Sequence, residues 1–188
     1  DFATFSGHKF HAVRGVGFVY KKAGKKITPL LTGGGQEKDF RSTTENVAGI
    51  ASMAKALRLV TDKEEFSLPK IAKMKKIIFD ELAKYEDITI FSGEGEDFAP
   101  NILTFGIKGV RGEVIVHAFE EHQIYISTTS ACSSKAGKPA GTLISMGVPT
   151  KLAQTAVRIS LDDDNDMGQV EQFLTIFKQV YAKTQKVR

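Results

Sequence analysis

Apolar residues recur at helical spacing in several parts of the chain. Val47, Ile50, Ala51, Ala54 and Leu57 lie three or four residues apart, and Ser42 followed by Glu45 forms a capping box ahead of them. That pattern predicts a helix. A second helix follows from Leu68, Ile71, Met74, Ile78, Leu82 and Tyr85, which share one face while Lys70, Lys73 and Lys76 fall mostly on the other. The charged stretch between them, 61–68, predicts a seam between domains. Short apolar runs predict strands at 15–20, 88–91, 102–107, 123–127 and 156–161. Helices are predicted at 112–122, 139–146 and 168–183, the last facing inward through Val170, Phe173, Leu174, Phe177 and Tyr181. Alternating strands and helices define an α/β chain.

Composition changes this picture little. The 188 residues are 41% hydrophobic and 26% charged, as in ordinary globular proteins, and the length fits one domain or two small ones. No run is long enough to cross a membrane, and the first residues lack a signal peptide's basic start and apolar core. A net charge of +4 invites a nucleic-acid reading, but the lysines are dispersed, so no nucleic-acid partner is expected. One cysteine permits no internal disulfide and points to a reducing compartment. The chain opens at Asp1 without Met, directly onto what reads as the end of a strand, so a piece of a longer protein is expected.

Two places carry candidate chemistry. Cys132 sits in Ser127-Thr128-Thr129-Ser130-Ala131-Cys132-Ser133-Ser134-Lys135-Ala136-Gly137, a run of small polar residues that packs no core. On the loop alone two readings stand: a thiol selected for reactivity and an incidental surface cysteine. Near the start, Ser6, Gly7, His8 and Lys9 precede His11 and a glycine-flanked strand. A partly desolvated lysine is a nucleophile for Schiff-base chemistry, and Ser and His can donate hydrogen bonds to a phosphate. Taken alone, Lys9 reads more readily as an ordinary surface lysine. His8 with His11 makes no metal site, because His117 and His122 lie far along the chain, and no metal is expected.

Together these segments are specific. Phe5-Ser6-Gly7-His8-Lys9-Phe10-His11, Gly33-Gly34-Gly35-Gln36-Glu37, Arg41-Ser42-Thr43-Thr44-Glu45-Asn46-Val47-Ala48-Gly49, Ser130-Ala131-Cys132-Ser133-Ser134 and Val157-Arg158-Ile159-Ser160-Leu161 closely resemble the cysteine desulfurases, in order and spacing. The long loop around Cys132 resembles the NifS and IscS-type group of these class V aminotransferase relatives. The resemblance runs over almost the whole chain but matches only the C-terminal half of such an enzyme.

The resemblance implies a fold and a set of roles. The fold would be the C-terminal part of a fold-type I pyridoxal phosphate (PLP)-dependent transferase. Residues 1–63 would end the large, mainly parallel-sheet domain, and 64–188 would form the small α/β domain with a mobile cysteine loop at 127–138. Lys9 matches the lysine that holds PLP and moves the substrate's α-proton, and Ser6 and His8 match holders of the cofactor phosphate. Thr44 matches a threonine that reaches the cofactor of a neighbouring subunit in a homodimer, with help to the helix cap as its alternative. Arg158 matches the clamp on the substrate carboxylate, and Cys132 the nucleophile that takes sulfur from L-cysteine as a persulfide, releasing L-alanine. A sulfur-acceptor protein, for Fe-S clusters or tRNA thiolation, and a cytoplasmic location are implied. A selenocysteine lyase-like enzyme and a non-catalytic sulfur carrier remain as alternatives.

Two departures from the family pattern stand out. His11-Ala12-Val13-Arg14-Gly15 replaces a usual His-Gly-Pro-Lys-Gly, and Pro139-Ala140-Gly141-Thr142 differs from a usual Pro-Ser-His. The aspartate and histidine that such enzymes set against the cofactor ring would belong to the other half, so the 188 residues alone are expected to bind PLP weakly and not to turn over.

Overall fold

The computed structural model describes residues 1–95, 97–128 and 141–185. Cys132 and the part of its loop from residue 129 to 138 lie outside them, as does Pro139. The chain divides into two compact units, Asp1–Glu65 and Phe66–Arg188.

In the first unit, β1 (Phe2–Ser6) and β2 (Gly17–Lys21) form an antiparallel ribbon in the register Phe2↔Lys21 to Ser6↔Gly17. Phe5 and Phe18 face each other across it, their rings stacked at 4.6 Å. A Cβ on Gly17 would collide with the Phe5 carbonyl oxygen, so only glycine lets the strands meet there. A single 3-10 turn, Gly7–Phe10, joins the strands and ends at His11, which takes the left-handed conformation at φ 71°. Sequence reading found β2 but took the opening residues only as the end of a strand, because the short polar-flanked run Phe-Ala-Thr-Phe-Ser gives little signal for the whole of β1.

Helix α1 (Val47–Leu82) corrects two expectations. It is one continuous helix, not two with a break at 61–68. The stretch carries the strong helix formers Lys63, Glu64, Glu65 and Leu68 beside the weaker Thr61, Asp62, Phe66 and Ser67, so charge there marks a solvated length of helix and not a linker. Even Pro69, which has no N–H to give to the Glu65 carbonyl, does not end it. The boundary between units falls inside this helix. Its cap also differs from the expected box. Asn46 Oδ1 accepts the Gly49 N–H at 3.0 Å, so Asn46 is the N-cap. Ser42 instead accepts the Gly35 N–H through its Oγ and donates its own N–H to the Leu31 carbonyl.

The second unit holds a four-stranded sheet in the order β3-β4-β6-β5. These are β3 (Ile88–Ile90), β4 (Ile102–Ile107), β5 (Ser127–Thr128) and β6 (Ala156–Ser160), and every pairing among them is antiparallel. The parallel part of the expected large-domain sheet is thus not represented among the described strands. Alternation on β4 and β6 turns Leu103, Phe105, Ile107, Val157 and Ile159 to one face. There they bury against Ile71, Met74, Ile78 and Leu82 of α1, Ile115 and Phe119 of α2 (Gly112–Glu120), and Phe173, Phe177 and Val180 of α5 (Met167–Gln185). The opposite face meets the short helices α3 (Gly141–Ser145) and α4 (Thr150–Ala153) through Ala156, Leu143 and Ala153. Sequence reading had not assigned α4, which is too short to show a period.

Candidate functional site

The turn after β1 sets the first group of candidate residues. Gly7 is buried at its start, donating its N–H to the Val16 carbonyl at 2.8 Å and accepting the His11 and Ala12 N–H groups at its own carbonyl. A Cβ on Gly7 would press within 3.0–3.2 Å of Val16 and Ala12, so the tight turn needs glycine. The next residues are forced outward. Ser6 at the N-cap of the turn makes no capping bond with its side chain, and Ser6, His8 and Lys9 are all exposed. No hydrogen bond or ion pair engages these three side chains among the described residues. A hydroxyl, an imidazole and an amine therefore stand unpaired within four residues of one another.

Thr44 lies in the same unit, exposed, two residues before the Asn46 cap. It takes no part in that cap, which removes the bland role sequence reading allowed it. No described hydrogen bond joins it to the turn.

Arg158 lies in the second unit, in the middle of β6, opposite Thr104 of β4 and Ser127 of β5. Alternation places it on the face away from the Phe105–Phe177 core. It is half-buried, and its Nε is buried with no hydrogen-bond partner among the described residues. A buried guanidinium nitrogen without an acceptor is costly, and a carboxylate offers the planar acceptor that would satisfy it. Cys132, the expected nucleophile, lies outside the described residues.

The same unit contains a titratable residue that sequence reading missed. Lys75 is buried on α1 at 7% exposure and donates to the carbonyls of Ala99 at 2.8 Å and Gly93 at 3.3 Å. Burial pulls its pKa below the ordinary lysine value, and nearby Glu94 partly offsets this. The available signal was its place between Met74 and Ile78 on the buried face. It borders an open apolar cleft of about 610 Å³ lined by Leu68, Phe79 and Phe98 among others.

The donor set at the first turn fits PLP. An unpaired amine can form an imine with an aldehyde, and an unpaired hydroxyl and imidazole can donate to a phosphate. The class-V aminotransferase family, described as Aminotransferase class-V, matches residues 1–173, and this chain belongs to it. Its relatives include a NifS/IcsS protein homolog of Lactobacillus delbrueckii subsp. bulgaricus, 46% identical over all of this chain and 49% of the relative. The cysteine desulfurase IscS of Dictyoglomus turgidum is 34% identical over 86% of this chain and 41% of its own length. Among solved structures, a NifS-like protein from Rickettsia africae superposes with a TM-score of 0.82 at 33% identity, covering 97% of this chain and 48% of that one. The chain thus spans about half the length of the curated relatives it matches.

Proposed function

We propose that this chain supplies the lysine, arginine and cysteine of a PLP-dependent cysteine desulfurase that converts L-cysteine to L-alanine and passes the sulfur to an acceptor protein. The observation that carries this is the unpaired Ser6, His8 and Lys9 on the turn built by Gly7.

Ser6 and His8 would hold the cofactor phosphate and Lys9 would hold its aldehyde carbon. PLP bound there would supply an electron-withdrawing ring that acidifies the substrate's α-C–H. The Arg158 guanidinium orients the substrate by its carboxylate, satisfying its own orphaned Nε. Lys9, once free, accepts the α-proton. The Cys132 thiolate attacks the substrate sulfur, so an S–S bond forms as the Cβ–S bond breaks. The Cβ keeps the bonding pair and is protonated, and alanine leaves with a persulfide remaining on Cys132. Thr44 reaches the cofactor of a second subunit in a homodimer, and the reaction runs in the cytoplasm. Among the described residues no helix is long and apolar enough to cross a membrane.

The test uses the full-length protein. Borohydride reduction followed by peptide mapping is expected to place pyridoxyl on Lys9, and Cys132→Ser is expected to lose sulfide and persulfide formation from L-cysteine while keeping that label. Failure to label Lys9 favours a sulfur carrier. Alanine production undiminished in Cys132→Ser overturns the reading, and turnover of selenocysteine alone favours a lyase.

A further inference from the structure

The turn that presents Lys9 is closed upon itself by bonds among Gly7, His11, Ala12 and Val16. Those bonds fix its internal shape. They do not fix where it stands against α1 within the same unit.

A bond that does so comes from Val13, whose N–H donates to Ser52 Oγ at 3.2 Å across 39 residues of sequence. Ser52 lies in the second turn of α1 and is half-buried. We propose that Ser52 is a positioning residue for Lys9, holding the Lys9 turn against α1 through the Val13 N–H. This rests on the reading of Lys9 as the cofactor lysine.

Two features make the bond matter. His11, two residues before Val13, sits at φ 71°, a region that a non-glycine residue occupies only where its surroundings hold it. The turn's own bonds hold that conformation, and the Val13 bond adds a hold from α1 two residues further on. Position 13 is also where the family pattern places proline, which has no N–H to give. Val13 supplies a donor and Ser52 an acceptor, so this chain anchors by a hydrogen bond what the pattern stiffens with a ring. A reactive amine must be held to a fraction of an ångström to act, so loosening the anchor degrades the chemistry without removing any group that performs it.

The experiment compares Ser52→Ala, Ser52→Thr, Val13→Pro and the Val13→Pro/Ser52→Ala double variant in the full-length protein. The readouts are native-state amide exchange and the pH midpoint of the visible absorbance of cofactor bound at Lys9. Ser52→Ala is expected to speed exchange of the Val13 amide about fivefold and to move the absorbance midpoint. Ser52→Thr, which keeps the hydroxyl, restores both. In the Val13→Pro background Ser52→Ala changes nothing further, because no donor remains. Unchanged exchange and midpoint in Ser52→Ala, or an equal effect with and without the Val13 donor, overturns the proposal. A loss of melting temperature with an unmoved midpoint reduces Ser52 to fold stability alone and overturns it too. Borohydride labelling separates the layers. No label at Lys9 in the wild type sinks the cofactor reading, whereas a labelled Lys9 with an indifferent Ser52→Ala sinks only the role of Ser52.

Discussion

Lys75 holds a positive charge where its neighbours Met74 and Ile78 are almost fully buried. It donates hydrogen bonds to the Gly93 and Ala99 carbonyls, in the segment leading to β4. The cost is electrostatic. Because burial lowers its folded pKa, the unfolded chain binds more protons in the alkaline range below about 10.4, and stability must rise with pH across that window. Urea unfolding of wild type and Lys75→Met from neutrality to about pH 10 is expected to show the wild type gaining stability relative to the variant. A constant difference between the two would mean that the amine is not desolvated. The same residue shows what a sequence hides. Lys70, Lys73 and Lys76 mark a solvated face correctly, but one further lysine in the run turns inward, and no local pattern announces carbonyls eighteen and twenty-four residues away that will receive it. Ser6, His8, Lys9 and Arg158 were legible for another reason. Their residue types and order match the pattern of the cysteine desulfurases, whereas Ser52 enters only through a contact that folding creates.

Helix α1 turns on its ends and its middle. Asn46 satisfies the Gly49 N–H, one of the four that a helix start leaves without a partner. Asn46→Ala is expected to cost about 1 kcal/mol and to speed exchange in the first turn, with Asn46→Asp close to wild type, both read by thermal melts and amide exchange. Equal stability of wild type and Asn46→Ala would return the cap to Ser42 and Glu45. Between Ala56 and Ile71 the helix buries no side chain. That is why sequence reading placed a break there: with no apolar stripe to follow, charge looked like linker. Strands 102–107 and 156–160 were legible from their apolar runs, whereas the strand expected at 123–127 forms only as the two-residue β5, which begins where that run ends.

Across the whole molecule the apolar surface is unevenly spent. The second unit gathers Phe105, Phe119, Phe173 and Phe177 into one core. In the first unit the buried hydrophobic side chains are Ala12 and Ala56, while Phe2, Phe5, Val19, Tyr20, Leu31 and Phe40 are exposed and Leu30 is 95% exposed. A two-stranded ribbon is marginal by itself, and its outer edges are open to pairing. The 188-residue chain studied alone is expected to associate with itself, seen as a concentration-dependent mass in light scattering, and to release no sulfide from L-cysteine with added PLP. A monomer at all concentrations would show that the first unit is satisfied without further strands, and sulfide release would show that the half-length chain suffices.

The close pairing of the strands at Gly17 has a genetic corollary. Any missense change at that codon adds a carbon where the Phe5 carbonyl already lies. Under selection for a folded product, position 17 should therefore admit only synonymous variation, for a reason of backbone geometry alone. Intolerance at that codon would record strand geometry, and would be misread as catalysis by anyone scoring variants on proximity to the lysine alone.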